Sequence, residues 1–258
     1  MRQAPASIRK VYRYPVKGLS AEPLERALLT PGQTIAGDRR YAIENGPSGF
    51  DPAAPAYFPK QRFLMLMRNE RLARLDTRFD DATETLDVRD GDATVRADLR
   101  TPEGRQRVEA FFATLCADEL RGPPKVLHAP GHSFSDVSRK VVSIINLASV
   151  AAIEQLVGAP VDPVRFRGNL LVEGWPAWGE FELVGQTLAL GAEARVRVVK
   201  RIERCAATNV EPGSGIRDLN IPHSLLRACG HTDCGVYAEV IAGGTIAPGD
   251  RIAPLDGD

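Results

Sequence analysis

The chain has 258 residues, 43% apolar and 26% charged, enough to bury a full core and close to the length at which one core divides into two. Lys plus Arg and Asp plus Glu balance at 33 each, which excludes a global field for nucleic acid or an anionic membrane but not a local basic patch. No run approaches the ~20 apolar residues of a membrane span, and Cys116, Cys205, Cys229 and Cys234 are too scattered for a disulfide framework.

Met1 to Lys10 lacks the apolar stretch of a secretory leader, so a reducing cytoplasm is the expected location. Ile8, Val11, Tyr12, Tyr14 and Val16 suit an opening strand, which Pro15 makes an edge strand or brings to its end. Arg40 to Ile43 is a short second strand. The stretch from Glu44 to Pro59, rich in proline and glycine, reads as an exposed loop. Leu72 to Leu99 reads as a meander, with a hairpin turn at Asp90-Gly91, where both positions need φ > 0.

A helix comes next. Thr101 is a good N-cap and Pro102 fits the first turn; Val108, Phe111, Phe112 and Leu115 then recur at helical spacing. Cys116 falls beside that stripe and reads as core. Gly122-Pro123-Pro124 marks a boundary, dividing the chain into modules 1–122 and 123–258. In the second half, Val141 to Ile145 is a strand. Asn146 or Ser149 caps a helix carrying Val150, Ile153, Leu156 and Val157, stopped by Gly158. Strands are expected at 169–172, 187–190, 195–202, 237–241 and around Ile252. Many short strands, glycine and proline turns and only two good helices predict a barrel or sandwich, mainly β.

The chain has no P-loop, no dinucleotide fingerprint, no Cys-x-x-Cys pair and no nucleophile elbow. The cluster Cys229-Gly230-His231-Thr232-Asp233-Cys234 offers three soft ligands without a fourth nearby and reads as a turn into the last strands. Trp175-Pro176-Ala177-Trp178 either walls a pocket or packs the edge of the domain. Cys205 stands out: it lies just past a strand ending in Lys200, Arg201 and Arg204, and nearby cations favour the thiolate form that a soft-metal ligand or nucleophile needs. Composition alone does not separate this from a structural cysteine.

The segment Arg204-Cys205-x-x-Thr208-x-Val210-Glu211-Pro212-x-x-Gly215 resembles the cysteine motif of the MOSC domain (molybdenum cofactor sulfurase C-terminal domain), and most closely the amidoxime-reducing branch. The likeness continues through Phe166-Arg167-Gly168-Asn169, Gly235-Val236-Tyr237 and Gly244-Thr245-Ile246-Ala247-Pro248-Gly249-Asp250. Tyr14-Pro15-Val16-Lys17 and Gly37-Asp38-Arg39-Arg40 resemble the β-barrel module that precedes MOSC domains in that branch.

The resemblance implies a β-barrel MOSC fold with a few α-helices behind an N-terminal β-rich module. It also implies a molybdenum cofactor (Mo-molybdopterin) whose metal is bound by Cys205; pyridoxal phosphate is not expected. Lys17, Arg39, Arg167 and Arg204 would serve its phosphate, and Asn169, Thr208 and Tyr237 would add hydrogen bonds. Ser135, Asp136 and Ser138 resemble the family's Ser-Asp-x-Ser loop, a second cofactor contact. Taken singly, a strand Arg or Lys is usually a solvated face, Tyr237 could be core, and Asn169 could serve a turn.

Two residues depart from the pattern: Gly18 stands where the branch carries serine, and Glu203 replaces a small hydroxylic residue before Arg204. No ferredoxin-like extension follows Asp258, so an external electron-transfer protein is the expected donor. The implied activity is molybdenum-dependent reduction of N-hydroxylated or N-oxygenated small molecules, with Cys205 at the reacting centre and water or Glu203 delivering protons. The alternatives are a carrier of persulfide sulfur or matured cofactor, and a pterin-binding module without turnover.

Overall fold

The computed structural model describes residues 5–255. The first four positions of the segment read above for a leader, and the last three residues of the chain, lie outside them. The first half carries β1 (Ala6–Arg13), β2 (Glu22–Leu24), β3 (Ala27–Leu29), β4 (Ala42–Asn45), β5 (Asp76–Asp80), β6 (Thr85–Asp90), β7 (Ala93–Asp98) and α1 (Pro102–Leu115). The second half carries β8 (Pro124–Leu127), β9 (Val142–Asn146), α2 (Leu147–Val157), β10 (Leu170–Glu173), β11 (Thr187–Leu190), β12 (Ala194–Glu203), α3 (Ile221–Cys229), β13 (Asp233–Ala242), β14 (Gly244–Ile246) and β15 (Arg251–Pro254).

Seven strands close into a barrel in the order β10, β9, β13, β12, β11, β15 and β1, with β1 pairing back onto β10. Every pairing but one is antiparallel. The parallel pair, β9 and β10, needs a crossover, which α2 supplies. Strand alternation builds the interior: on β12, Ala194, Val196 and Val198 are buried while Arg197 is exposed. Ile8, Val142, Ile144, Leu170, Val172, Leu188, Val236 and Ile252 complete that core. The barrel therefore draws strands from both sides of residue 122. Pro15 falls just past the end of β1, which is paired on both sides rather than left as an edge.

A second core lies beside the barrel. The β5-β6-β7 meander packs against α1 through Leu86, Val88, Leu99, Val108 and Phe112, with Cys116 fully buried among them. The Thr101 Oγ1 accepts a hydrogen bond from the Gly104 N–H at 3.0 Å, and that cap fixes the start of α1. A third cluster packs α2 and α3 on the outside of the barrel through Val150, Ile153, Ile221 and Leu225.

Several expectations need correction. Leu156 is 41% exposed, because it lies off the Val150–Ile153–Val157 face of α2. Glu44 and Asn45 are buried strand residues, so the proline-rich loop begins after them. A third helix, α3, adds to the two expected: it is nine residues long, contains Pro222 in its first turn and buries only Ile221 and Leu225, too short a stripe to signal a helix. No described helix is long and apolar enough to cross a membrane. Trp175 is buried and Trp178 packs against the same barrel core.

Candidate functional site

Cys205 sits at the rim of the barrel, where β12 runs out. The β12–β13 register slips three times, the last between Arg201 and Glu203, and bulges of this kind bend a strand end and re-aim the residues beyond it. A short 3-10 turn, Ala206–Asn209, then carries the chain away. The Thr208 N–H and hydroxyl both donate to the Cys205 carbonyl, at 3.1 and 3.0 Å, so Thr208 holds the cysteine backbone. The thiol is free and half-buried.

Cys205 opens onto a cavity of about 760 Å³ whose wall also includes Arg39, Ser135, Arg167, Asn169, Arg204, Thr208 and Tyr237. Lys17 lies in a recess of about 50 Å³ that shares Arg39, Lys60, Asp136 and Cys205 with this cavity. Ser138 stands apart, in a neighbouring hollow that meets the cavity at Val137, Val141, Lys200 and Tyr237. The wall carries seven cationic side chains, Arg39, Lys60, Arg165, Arg167, Lys200, Arg201 and Arg204, against the four carboxylates Asp38, Asp136, Glu203 and Asp233. A chain of zero net charge has thus gathered a local positive surplus.

Two arginines carry much of it. Arg39 and Arg167 both take a left-handed backbone, φ 51°, which costs a non-glycine residue of order 1 kcal/mol or more and recurs at binding sites. Their guanidiniums flank the Tyr14 ring at 4.9 and 4.2 Å. Burial pushes the Tyr14 phenol up to about 12, so the ring between them stays uncharged. The Tyr14 hydroxyl donates to the Gly168 carbonyl at 3.2 Å, and Asp38 accepts from the Tyr14 N–H at 2.8 Å while pairing with Arg39.

Arg167 is compensated differently. Its Nη1 donates to the Leu19 carbonyl at 2.7 Å, but its Nη2 is buried without any hydrogen-bond partner. Burial pulls this guanidinium down to about 10, so it remains a cation at neutral pH and lacks an anion. Lys17, 5% exposed, donates to the Phe134 carbonyl at 2.8 Å and pairs with Asp136. Burial holds the Lys17 ammonium below the usual lysine range. For Asp136 burial acts upward, but Lys17 and Arg39 more than reverse it and hold the carboxyl well below its ordinary range.

Other expected contacts are already engaged within the protein. The Asn169 Oδ1 accepts from the Ser143 N–H at 3.0 Å and the Ser143 hydroxyl at 2.8 Å, and its Nδ2 donates to the Tyr12 carbonyl at 3.2 Å. This amide ties β1, β9 and β10 together. Arg204 stacks over Phe166 at 5.3 Å, donating to the Phe166 carbonyl at 2.9 Å and through Nε to the Cys234 carbonyl at 2.7 Å. Gly235, at φ 78°, makes room for it: a Cβ there would stand 2.5 Å from the Ile144 oxygen and 3.1 Å from the Arg204 Nη2. The Ser135 hydroxyl shares a 3.0 Å hydrogen bond with Ser133. Tyr237 lies under Lys200 at 5.8 Å, and its hydroxyl has no protein partner among the described residues.

One residue of the site escaped the sequence. Lys60, from the proline-rich loop, donates from Nζ to the Cys205 Sγ at 3.1 Å. Burial alone would lower its ammonium, and Cys205 and Asp136 more than offset that, so Lys60 keeps its proton above the usual lysine range. Nothing local in Pro59-Lys60-Gln61 points to a cysteine 145 positions away.

Two guanidiniums packed on the Tyr14 ring, one of them with an unpaired Arg167 nitrogen, and the buried Lys17 thus lie near a free thiol. Residues 129–253 match the family model of the MOSC domain, and residues 5–119 match that of the MOSC N-terminal beta barrel domain. Among solved structures the chain is similar to the YuaD protein from Bacillus subtilis, at 13% identity over 100% of this chain and 99% of that one, with a TM-score of 0.49. It is similar to YiiM from Geobacillus stearothermophilus at 20% identity over 45% of this chain and 54% of that one, with a TM-score of 0.35. No curated protein matches the chain.

Proposed function

This is a MOSC-domain protein, with a MOSC N-terminal β-barrel domain preceding the MOSC domain, and from that premise we propose that it binds a molybdenum–pterin cofactor through Cys205 and reduces N-hydroxylated or N-oxygenated compounds. The observation that carries the reading is the unpartnered Nη2 of Arg167, a buried cation facing a shortage of anions beside a free thiol. A phosphate would satisfy that nitrogen. A thiolate is the softest anionic donor a protein offers to a sulfur-ligated metal.

Within this reading Cys205 holds the metal, Arg39 and Arg167 hold the phosphate, and Asp136 keeps Lys17 aimed at the same region. Asp38 and Tyr14 orient the two guanidiniums. When bound, the cofactor supplies the redox chemistry. Cleaving an N–O bond of a hydroxylamine takes two electrons and two protons and releases the amine and water. The electrons come from an external electron-transfer protein. Lys60 holds a proton 3.1 Å from the Cys205 sulfur and would be a proton source beside it; Glu203 also lines the cavity.

Elemental analysis of wild type beside Cys205→Ser, produced in a host that makes the cofactor, tests the assignment. Wild type should retain about one molybdenum per chain and the variant little. Equal metal in both would remove Cys205 as the ligand. Retained metal without turnover of hydroxylamines under an artificial donor would favour the carrier reading.

A further inference from the structure

Asp38 lines a hollow of about 510 Å³ that shares no other residue with the cavity at Cys205. The neighbouring arginines of the Gly37-Asp38-Arg39-Arg40 segment divide between the two spaces: Arg39 lines the cavity, Arg40 the hollow. The rest of its wall comes from the stretch before Asp38, including Thr30 and Thr34, from the turn that carries His128 and His132, and from Lys140. Its size is that of a small-molecule site.

Charge in this wall is one-sided. Asp38 is its one carboxylate, and it is spent on the Tyr14 N–H and on Arg39. The Lys140 Nζ donates to the Gln33 Oε1 at 2.6 Å and the Gly131 carbonyl at 2.9 Å, both neutral, and no described carboxylate pairs with it. Arg40 shares Glu84 with the Tyr41 hydroxyl, and its Nη1 has no protein partner among the described residues. His128 stacks on Tyr41 at 4.9 Å, and its Nε2 accepts from the Arg40 Nε at 3.5 Å, which leaves its ring proton on Nδ1. Burial and then Arg40 hold His128 below the usual histidine range, with Arg105 adding to them and Glu84 opposing. Burial and then Lys140 do the same to His132. The His132 ring nitrogens and the hydroxyls of Thr30 and Thr34 have no protein partner among the described residues. The hollow thus holds more donors than the protein uses, and no anion of its own to meet them.

We propose that this hollow binds a small phosphate monoester, its charge met by Lys140 and Arg40 and its remaining oxygens by the two histidines and two threonines. Two cations match the charge of about −2 that such a phosphate carries near neutral pH. Arg40 offers it a planar edge and Lys140 a point charge. An arriving dianion also favours the protonated form of each nearby imidazole, so His128 and His132 gain charge as it binds. The site stands apart from the reading of Cys205, and either holds without the other.

The test is an NMR titration of the full chain, labelled at histidine, with glycerol 3-phosphate and, at equal ionic strength, with acetate. The chain's other histidines serve as references: His223 lies on α3, and His231 packs on Phe181 in the wall of the Cys205 cavity. Millimolar glycerol 3-phosphate should move the His128 and His132 resonances and raise their titration midpoints, while acetate leaves both in place. Lys140→Met, at a half-exposed position, should weaken binding at least tenfold, and Arg167→Met, in the other cavity, should leave it unchanged. An equal response to acetate, shifts confined to His231, or binding that survives Lys140→Met would overturn the assignment. So would binding lost in Arg167→Met, which would place the phosphate beside Cys205 instead.

Discussion

Lys60 and Cys205 stand 145 positions apart in the chain, yet the ammonium of one lies 3.1 Å from the sulfur of the other. A fixed cation at that distance attracts an anionic reagent and is indifferent to a neutral one. Lys60→Met should therefore lower the ratio of iodoacetate to iodoacetamide alkylation rates at Cys205 severalfold. Taking the ratio cancels any change in the thiol itself. Mass spectrometry of the Cys205 peptide measures it, and an unchanged ratio would remove Lys60 from the site.

Arg167 carries a charge that the protein leaves partly uncompensated. Removing such a charge from a buried position often stabilises a fold. In cofactor-free protein, Arg167→Met should raise stability by about 1 kcal/mol, the low end of that range because the bond to Leu19 and the Tyr14 stacking are lost. The same variant should lose retained molybdenum. Urea denaturation and elemental analysis on one preparation check both, and a loss of stability would contradict the idea of an unfilled anion site.

Asp136 gives the site a pH signature. Its folded value lies below the unfolded value near ~4, so ionised Asp136 favours the folded chain above that window, and the advantage is lost as pH falls through the folded value. Lys17 also makes stability rise with pH, in the alkaline range: its charged form costs the fold, and that cost disappears as the proton is lost. With Asp136 45% exposed the contribution is small, about 1 kcal/mol at most. Wild type should lose more stability than Asp136→Asn between pH 5 and 3 in urea titrations. Parallel curves would show the pair to be inconsequential.

Asn169→Ala tests a residue whose side chain is spent on the barrel. The change strands the Ser143 N–H and hydroxyl and the Tyr12 carbonyl, each buried or nearly so. A cost of about 3 kcal/mol is expected, visible without any cofactor. Wild-type stability in the variant would mean that water replaces the amide.

The parts of this molecule that were legible in the sequence are those with local causes. The Thr101 cap and the alternation along β12 each arise from short-range chemistry and appear where the residues imply. The hairpin turn falls one position later than Asp90-Gly91, on Gly91-Asp92, with Asp90 still paired to Ala93 and only Gly91 of the expected pair at positive φ. The separate short motifs carrying Arg39, Arg167, Cys205 and Tyr237 meet on one cavity wall, a convergence that the ordered family resemblance implied. Lys60 was illegible because its role comes from where a loop lands. The occupation of Asn169 and Arg204 by backbone carbonyls was equally hidden, since a sequence does not say which partner a polar side chain has already found.

The barrel is closed by its first strand and its last ones: β1, at residues 6–13, pairs with β10 at 170–173 and with β15 at 251–254. During synthesis the opening segment must therefore wait, its Ile8 and Val11 unburied, until the strands at 170–173 and 251–254 have emerged. The meander and α1 have all their partners early and can settle meanwhile. The hollow beside Cys205 borrows its walls from residues 38 to 237, so it exists only once both halves of the chain have met.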